Sequence, residues 1–427
     1  MREPNRDDFT GKGCFKPMRI LIVTFVLIMA GGYVSSQTPA PLPLSLDQAL
    51  QMARRNDPLV KSALYQIQGT TALLKGSSLP QNPTLSLAHG VGRNTGGLDE
   101  DVLLSQVIPL GDKTRQLIHA ARAANGAAVA DLGSTLTNLD FEVCDAYYQA
   151  LEADADVTLS SQALDTAKEF SKAATLQYQA GDVAQSNVLR SRIEVTRALQ
   201  ALTAAETNRA NKYLALRNIL GLRANEPLQL TDKLAYSPVN IKLDQLIATA
   251  LSNRQDIKSA YELEKRQEAL LHEAKAQSQP DLFWEARHSN IDPGLSAGDS
   301  FRVGLLIPIF DFGTIKQDAR AKEADVKAQR EVLKETQRSV ELEVETAYDN
   351  LLQAQKDVQS FENGRLDQAR KLLDMAQTGY QSGANSYLEL LDAQQVYRSE
   401  EMNYTHALAA YCVAKAALQK AVGGKLP

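Results

Sequence analysis

Cysteine, aromatic side chains and long apolar runs are all scarce in this chain of 427 residues. Cys14 precedes the apolar run near the amino terminus, and Cys144 and Cys412 alone are too few for a disulfide scaffold. Beyond residue 36, no stretch approaches the roughly 20 apolar residues that a membrane-spanning helix needs. If the mature chain enters a membrane, it must therefore do so as the strands of a closed barrel.

The sequence also lacks an excess of basic residues and any set of side chains that could carry out catalysis. Lysine and arginine number 46 against 51 acidic residues, and the net charge of -5 argues against a nucleic-acid partner. The five histidines include no pair at metal-ligand spacing, and no nucleophile with a matching base assembles. Residues 90–96 miss the dinucleotide-binding spacing, and Asp311-Phe312-Gly313 has no other kinase motif beside it. We expect no enzyme, no cofactor and no metal site.

The amino-terminal segment 1–36 is typical of an export signal. A short basic region at Met18 and Arg19 precedes the apolar run 20–30, and the small residues before Gln37 suit cleavage. Met18 is an alternative start. Residues 37–44 then form a predicted amino-terminal linker.

The rest of the chain repeats itself at an offset of about 200 residues, which predicts a tandem duplication. Matching motifs are Leu46-Asp47-Gln48 with Leu243-Asp244-Gln245, and Tyr178-Gln179-Ala180-Gly181 with Tyr380-Gln381-Ser382-Gly383. The first repeat, 45–222, is predicted to hold a helix, a β-hairpin at 83–109, a long helix at 112–180 and a helix at 183–221. A linker at 223–240 precedes the second repeat, 241–424, with a helix, a hairpin at 280–308, a long helix at 313–381 and a helix at 384–423.

Each hairpin alternates apolar and polar residues, as a membrane strand does with lipid on one side and water on the other. The predicted lipid-facing residues are Leu85, Leu87, Val91, Leu282, Trp284, Phe301, Val303, Leu305 and Ile307. A soluble hairpin with one buried face would show the same alternation. In lipid, four strands would leave unpaired edges, so that a membrane protein of this kind must oligomerise. Three copies would supply about 12 strands, which is within the known barrel range.

The long helices carry the heptad spacing of coiled coils. Apolar residues recur at steps of three and four from Val129 to Tyr147, and at steps of seven from Ala319 to Phe361. A helix of about 65 residues would reach on the order of 100 Å and must line something elongated. The predicted fold is mainly α with a small β part, in which long antiparallel helical hairpins wall a tunnel.

In their order and amino-acid sequence, these motifs resemble the TolC-type outer membrane factors, which are exit ducts of efflux pumps and type I secretion systems. The matching pieces are Leu44-Ser45-Leu46-Asp47-Gln48, Leu79-Pro80-Gln81-Asn82-Pro83, Gln106-Val107-Ile108-Pro109-Leu110-Gly111, Pro308-Ile309-Phe310-Asp311-Phe312-Gly313 and Tyr387-Leu388-Glu389-Leu390-Leu391-Asp392. Within the family, the Leu-Pro-x-Asn-Pro segment and the Pro-Leu-Gly-Asp-Lys turn resemble the CzcC-like branch that serves heavy-metal efflux.

The resemblance implies a homotrimer with a 12-stranded barrel in outer membrane lipid and a large periplasmic helical tunnel. It also implies two partners, a periplasmic adaptor and an inner-membrane pump of the resistance-nodulation-division type. The function predicted on this basis is a passive exit duct exporting heavy-metal cations. A duct for multidrug efflux or type I protein secretion is one alternative, and a periplasmic coiled-coil scaffold without a pore is another.

A periplasmic gate is predicted around Glu389 and Asp392, which stand three residues apart and therefore on one helical face. Two carboxylates in each of three copies would place six around the lumen, a ring that attracts cations. The resemblance puts such a pair at the narrowest constriction. Where relatives with a charged latch often have Arg, this chain has Asn385, which favours hydrogen bonding through Tyr380. Ordinary solvated surface charges are the alternative.

The resemblance also places docking of the adaptor at the two turns that end the long helices. Their residues are Gln179, Gly181, Asp182, Val183, Gln381, Gly383, Ala384 and Asn385. Simple turn chemistry, with glycine supplying positive φ, is the alternative explanation.

Overall fold

A computed structural model describes residues 42–91, 98–289 and 298–426. The predicted signal segment 1–36, most of the linker 37–44 and the tips of both β-hairpins lie outside these residues. The tandem duplication stays a prediction from the sequence.

The first helical stretch is two helices, not the single helix that the sequence predicts. Helix α1 spans Leu46–Asn56 and α2 spans Pro58–Ser77. Asp57 ends the first helix and caps the second, because its side chain accepts a hydrogen bond from the backbone N of Val60 at 2.9 Å. Proline is favoured at the first helical position, where its missing N–H costs nothing. The second half likewise has α5, Leu243–Asn253, and α6, Gln255–Ala276, separated at Arg254.

The long helices run in antiparallel pairs. Helix α3 spans Lys113–Ala180 and is followed by α4, Gln185–Ile219. In the second half α7, Thr314–Ser360, leads through a π-helical turn, Phe361–Arg365, into α8, Leu366–Gln381, and then α9, Tyr387–Val422. The predicted unbroken helix 313–381 is therefore wrong at this turn, where Gly364 adopts a φ of 112°. At 1.5 Å per residue, the 68 residues of α3 extend for on the order of 100 Å.

Both halves bury apolar seams of these helices. Leu139, Val143 and Tyr147 of α3 pack with Leu216 of α4 and with Leu220, which follows the end of that helix. In the second half the core includes Val340, Val344, Leu351, Leu246 and Leu418. The predicted seam of α3 does not extend to Val129, which is 51% exposed. None of the helices in the described ranges is long and apolar enough to cross a membrane.

The described residues also form two sheets. Strands β1, Leu42–Leu44, and β4, Leu228–Leu230, pair in parallel beside the first core. A second, antiparallel sheet has the order β2, Thr84–Val91, β3, Leu98–Pro109, β5, Asp281–Ser289, and β6, Gly298–Leu306. Within the described residues, β2 and β6 each pair on one side only.

The register of the antiparallel sheet sorts its side chains onto two faces. Leu85 and Leu87 lie opposite Leu104 and Val102, while Leu282, Trp284 and Ala286 lie opposite Leu305, Val303 and Phe301. Because side chains alternate along each strand, these residues share one face. The side chain of Val91 lies outside the described part of the chain, and Ile307 follows the end of β6. Contact of this face with lipid stays a prediction.

Candidate functional site

The turn between α3 and α4 is closed by Gly181, which ends α3 with a φ of 87°. The backbone N of Asp182 donates to the carbonyl of Gln177 at 2.9 Å, and the N of Gly181 donates to that of Tyr178 at 3.0 Å. This pattern satisfies the last carbonyl groups of the helix. Turn chemistry therefore accounts for Gly181, and it leaves adaptor docking here a prediction.

In the turn between α8 and α9, two backbone N–H groups bond to the carbonyl of a single glycine. The backbone N atoms of Ala384 and Asn385 both donate to the carbonyl of Gly379, at 2.8 and 3.0 Å. A Cβ on Gly379 would lie 2.5 Å from Cγ of Asn385, so a side chain at this position would displace Asn385. Gly383 has a φ of 74°. Asn385, one of the predicted gate residues, thus folds back onto α8 of its own chain.

Glu389 and Asp392 both lie exposed on the first turns of α9. Glu389 has a structural role that the sequence analysis missed: the backbone N of Ser386 donates to its carboxylate at 2.9 Å, and the N of Glu389 donates to Oγ of Ser386 at 3.3 Å. This is a capping box, and its Ser-x-x-Glu spacing was readable from the sequence. Replacing Glu389 with a residue that cannot accept this hydrogen bond would therefore disturb the start of α9 as well as remove the charge.

Tyr380, the remaining predicted gate residue, joins the two helical hairpins of the chain. Its hydroxyl donates to Oε1 of Gln177 on α3 at 2.8 Å, and its ring lies 6.0 Å from that of Tyr387. Phe170 of α3 packs beside Leu390 of α9 in the same cluster. Burial raises the pKa of Tyr387 to about 12, so its hydroxyl stays neutral. The tips of the two halves are thus joined by the hydrogen bond between the side chains of Tyr380 and Gln177.

An ion pair that the sequence analysis did not predict lies next to this cluster. Arg398 of α9 reaches Glu194 of α4, with 3.2 Å between Nη2 and Oε1. Both side chains are about a quarter exposed, at 28% and 23%. The pair is a second contact between the two helical hairpins.

The junction between the sheet and the helices is built around Lys113, which is 6% exposed. Its Nζ donates to the carbonyl of Gln279 at 2.8 Å and to Oδ1 of Asp281 at 2.7 Å. Oε1 of Gln279 accepts from the backbone N of Asp112 at 3.0 Å. A Cβ on Gly111 would lie 1.7 Å from that same oxygen, so a side chain there would displace Gln279.

A groove between α3, α4, α7 and α9 contains another polar cluster, around His406. Nδ1 of His406 contacts the carboxylate of Glu152, and its Nε2 lies 3.8 Å from Oδ1 of Asp156. The hydrogen bond to Glu152 raises the pKa of His406, and burial raises the pKa of Asp156. Oδ1 of Asp156 is buried without a hydrogen bond. In the ranges that the structure describes, no cluster of His, Cys, Asp and Glu has the geometry of a metal site.

Comparison with known proteins is consistent with this architecture. Residues 49–222 and 246–424 match the outer membrane efflux protein family. The chain is 24% identical over 371 residues to the cobalt-zinc-cadmium resistance protein CzcC of Cupriavidus metallidurans, covering 86% of this chain and 87% of that protein. It is 24% identical over 339 residues to toxin and drug export protein A of Aggregatibacter actinomycetemcomitans, covering 74% and 69%. The solved outer-membrane channel OprN superimposes with a TM-score of 0.74 at 19% identity, covering 89% of this chain and 90% of that one.

Proposed function

Because the chain belongs to the outer membrane efflux protein family, we propose that it forms the trimeric exit duct of a tripartite efflux system, gated at its periplasmic tips. Membership places the protein in the outer membrane, where such channels serve tripartite efflux pumps. The trimer, the gate and the cargo are the proposed parts.

The observation that carries the proposal is the four-stranded sheet with two unlike faces. Its apolar face includes Leu85, Leu87, Phe301 and Val303, which are 60 to 71% exposed in the single chain. Edge strands with unpaired N–H and C=O groups are costly in lipid, and closing a barrel removes them. Three copies placed edge to edge would pair each β6 with a neighbouring β2 and surround the apolar band with lipid.

Measurements of oligomeric state and of ion conductance test whether the chain forms such a duct. The detergent-extracted protein should migrate as a trimer that resists heating, and it should conduct ions when added to a planar lipid bilayer. A soluble monomer without conductance would contradict the proposal and favour a periplasmic scaffold, for which the helices alone argue.

The proposed gate is a ring of Glu389 and Asp392 from three chains. Glu389→Gln removes the charge but keeps a side chain that can complete the capping box with Ser386. Asp392→Glu keeps the charge and serves as the matched control for Asp392→Asn. We expect the double variant Glu389→Gln/Asp392→Asn to conduct more at rest and to bind a blocking trivalent cation at least about tenfold more weakly, or about 1.4 kcal/mol.

The control variant Asp392→Glu should be blocked by the trivalent cation as strongly as the original chain. Equal block in the neutral double variant and the original chain would remove the gate assignment and leave the two carboxylates as surface charges. Because the variant keeps the cap, a loss of block cannot be explained by melting of the start of α9.

For the cargo, we propose heavy-metal cations delivered by a pump of the resistance-nodulation-division type through a periplasmic adaptor. CzcC, similar over 86% of this chain, is named for resistance to cobalt, zinc and cadmium. The name of the second relative supports export of toxins and drugs as the alternative. A strain without this chain should lose tolerance to cobalt, zinc or cadmium. Lost tolerance to drugs with unchanged tolerance to metals would favour the alternative.

We propose the two tip turns, Gln179–Val183 and Gln381–Asn385 in the sequence, as the adaptor contact. Their predicted docking residues Gln179, Asp182, Gln381 and Ala384 are all exposed. Cysteine placed at Asp182 should crosslink to the adaptor, whereas cysteine at the exposed Arg209 of α4, far along the helix, should not. Equal crosslinking at both positions would contradict a specific contact at the turn.

A further inference from the structure

The polar face of the four-stranded sheet carries charged side chains of alternating sign. Asp101 lies on β3, Glu285 and Arg287 on β5, and Arg302 on β6. Glu285 is the register partner of Arg302, and Asp101 is that of Ser289, two residues beyond Arg287. All four side chains therefore point to the face opposite Trp284 and Phe301.

The four residues form two ion pairs in which the acid is less exposed than the base. Nε and Nη2 of Arg287 donate to the two carboxylate oxygens of Asp101 at 2.7 and 3.0 Å. Nη2 of Arg302 contacts Oε1 of Glu285. The side chains of Asp101 and Glu285 are each 17% exposed, against 61% for Arg302.

These pairs cancel in charge, since two carboxylates stand beside two guanidinium groups. At the end of the strands near the helices, Asp281 on the same face is likewise balanced by Lys113 at 2.7 Å. Surface ion pairs of this exposure contribute only about 0–1 kcal/mol to stability. Stabilising the sheet is therefore a minor effect of the pairs, whereas an unbalanced charge that faces an aqueous lumen acts on the ions that pass it.

We propose that Arg287 and Arg302 set the charge selectivity of the barrel lumen by neutralising Asp101 and Glu285. The inference rests on the proposed duct, in which the polar face lines the water-filled interior. The exit would then accept cargo of either sign, including anionic or neutral metal chelates as well as free cations. Preference for cations would arise at the tips, at Glu389 and Asp392.

The test uses three variants of one pair in the full-length protein in planar bilayers. Arg302→Gln leaves Glu285 unbalanced, Glu285→Gln leaves Arg302 unbalanced, and Glu285→Gln/Arg302→Gln is again neutral. The reversal potential across a salt gradient gives the ratio of cation to anion permeability. We expect Arg302→Gln to raise that ratio about threefold, which is the effect of about half a kT of electrostatic energy per ion, acting with opposite sign on cations and anions. Glu285→Gln should lower the ratio by a similar factor.

The neutral double variant should return the ratio to that of the original chain, which a purely structural role of the pair would not produce. Glu285→Gln leaves only an exposed arginine behind, so it disturbs the sheet least. If its conducting trimers show an unchanged ratio, the proposal is overturned. Absence of conductance in the original chain would instead count against the duct itself.

Discussion

Replacing Lys113 with methionine should destabilise the junction between the sheet and the long helices. The ammonium group of Lys113 holds the start of α3 to the start of β5, through Asp281 and the carbonyl of Gln279. These partners are 168 and 166 residues away in sequence, so the contact joins the two halves of the chain. Methionine fills a similar volume without a charge, and the substitution therefore isolates the polar contacts.

The expected loss of stability follows from the burial of the Lys113 side chain. A hydrogen bond to a charged group contributes about 1.5–3 kcal/mol, and removing one partner of a buried ion pair costs about 3–5 kcal/mol. Asp281 keeps 26% of its side chain in solvent, which lowers the cost of leaving it unpaired. We expect Lys113→Met to cost about 2–4 kcal/mol. Asp281→Asn should also destabilise the junction, because it removes the carboxylate that pairs with Lys113, whose side chain is only 7% exposed.

Unfolding by urea in detergent, at fixed protein concentration, can be followed through the fluorescence of the chain's single tryptophan, Trp284. This residue lies on β5, three positions from Asp281, and reports on the strand directly. Lys168→Met removes an exposed ion pair with Asp165 and should change stability by about 0.5 kcal/mol or less.

A double-mutant cycle tests the reasoning. Lys113→Met/Asp281→Asn should be less destabilised than the sum of the single variants, with a coupling of about 1–3 kcal/mol. Simple additivity would show that the two residues do not depend on each other and would refute the assignment.

Two further predictions concern the helices. Gly379→Ala should cost about 1–3 kcal/mol by displacing Asn385 and should increase protease cleavage at the tip, whereas alanine at Gly69, which has no neighbouring atoms, should not affect the tip. His406→Gln should reduce stability most at low pH. Because the folded-state pKa of His406 lies above the ordinary 6.5, its stabilisation is complete below pH 6.5 and is lost as the pH rises through the folded value. The raised pKa of Asp156 likewise makes the folded state less stable as the pH rises. If the difference in the free energy of unfolding by urea between the original chain and His406→Gln grew with pH, that result would contradict this account.

Much of the fold could be predicted because its signals are local and repeated. Heptad spacing indicates the long helices, and alternation in the hairpins indicates which residues share a face of the sheet. The errors also have local causes. The break at Pro58 was readable from the Asp-Pro pair, since Asp is a good cap and Pro a good first residue. The interruption at Gly364 was harder to predict, because an isolated glycine inside a helical pattern is usually tolerated.

The candidate site could be predicted only in part, because its contacts join distant segments. The sequence singled out Glu389 and Tyr380 but gave no partner for either. The separation of the partners is nevertheless informative. Tyr380 and Gln177 lie 203 residues apart, and Arg398 and Glu194 lie 204 apart.

Both separations are close to the offset of 202 between the motifs at Tyr178 and Tyr380. If the two halves are copies that stand side by side with their tips level, residues one repeat apart come to the same height. Contacts between the tips should then join nearly equivalent positions, and the repeat itself would have pointed to them. Lys113 and Asp281 do not follow this rule, because they join the start of a helix in one half to the start of a strand in the other. Such a contact needs the order of strands in the sheet, which pairs β3 with β5, and no local pattern in the sequence determines that order.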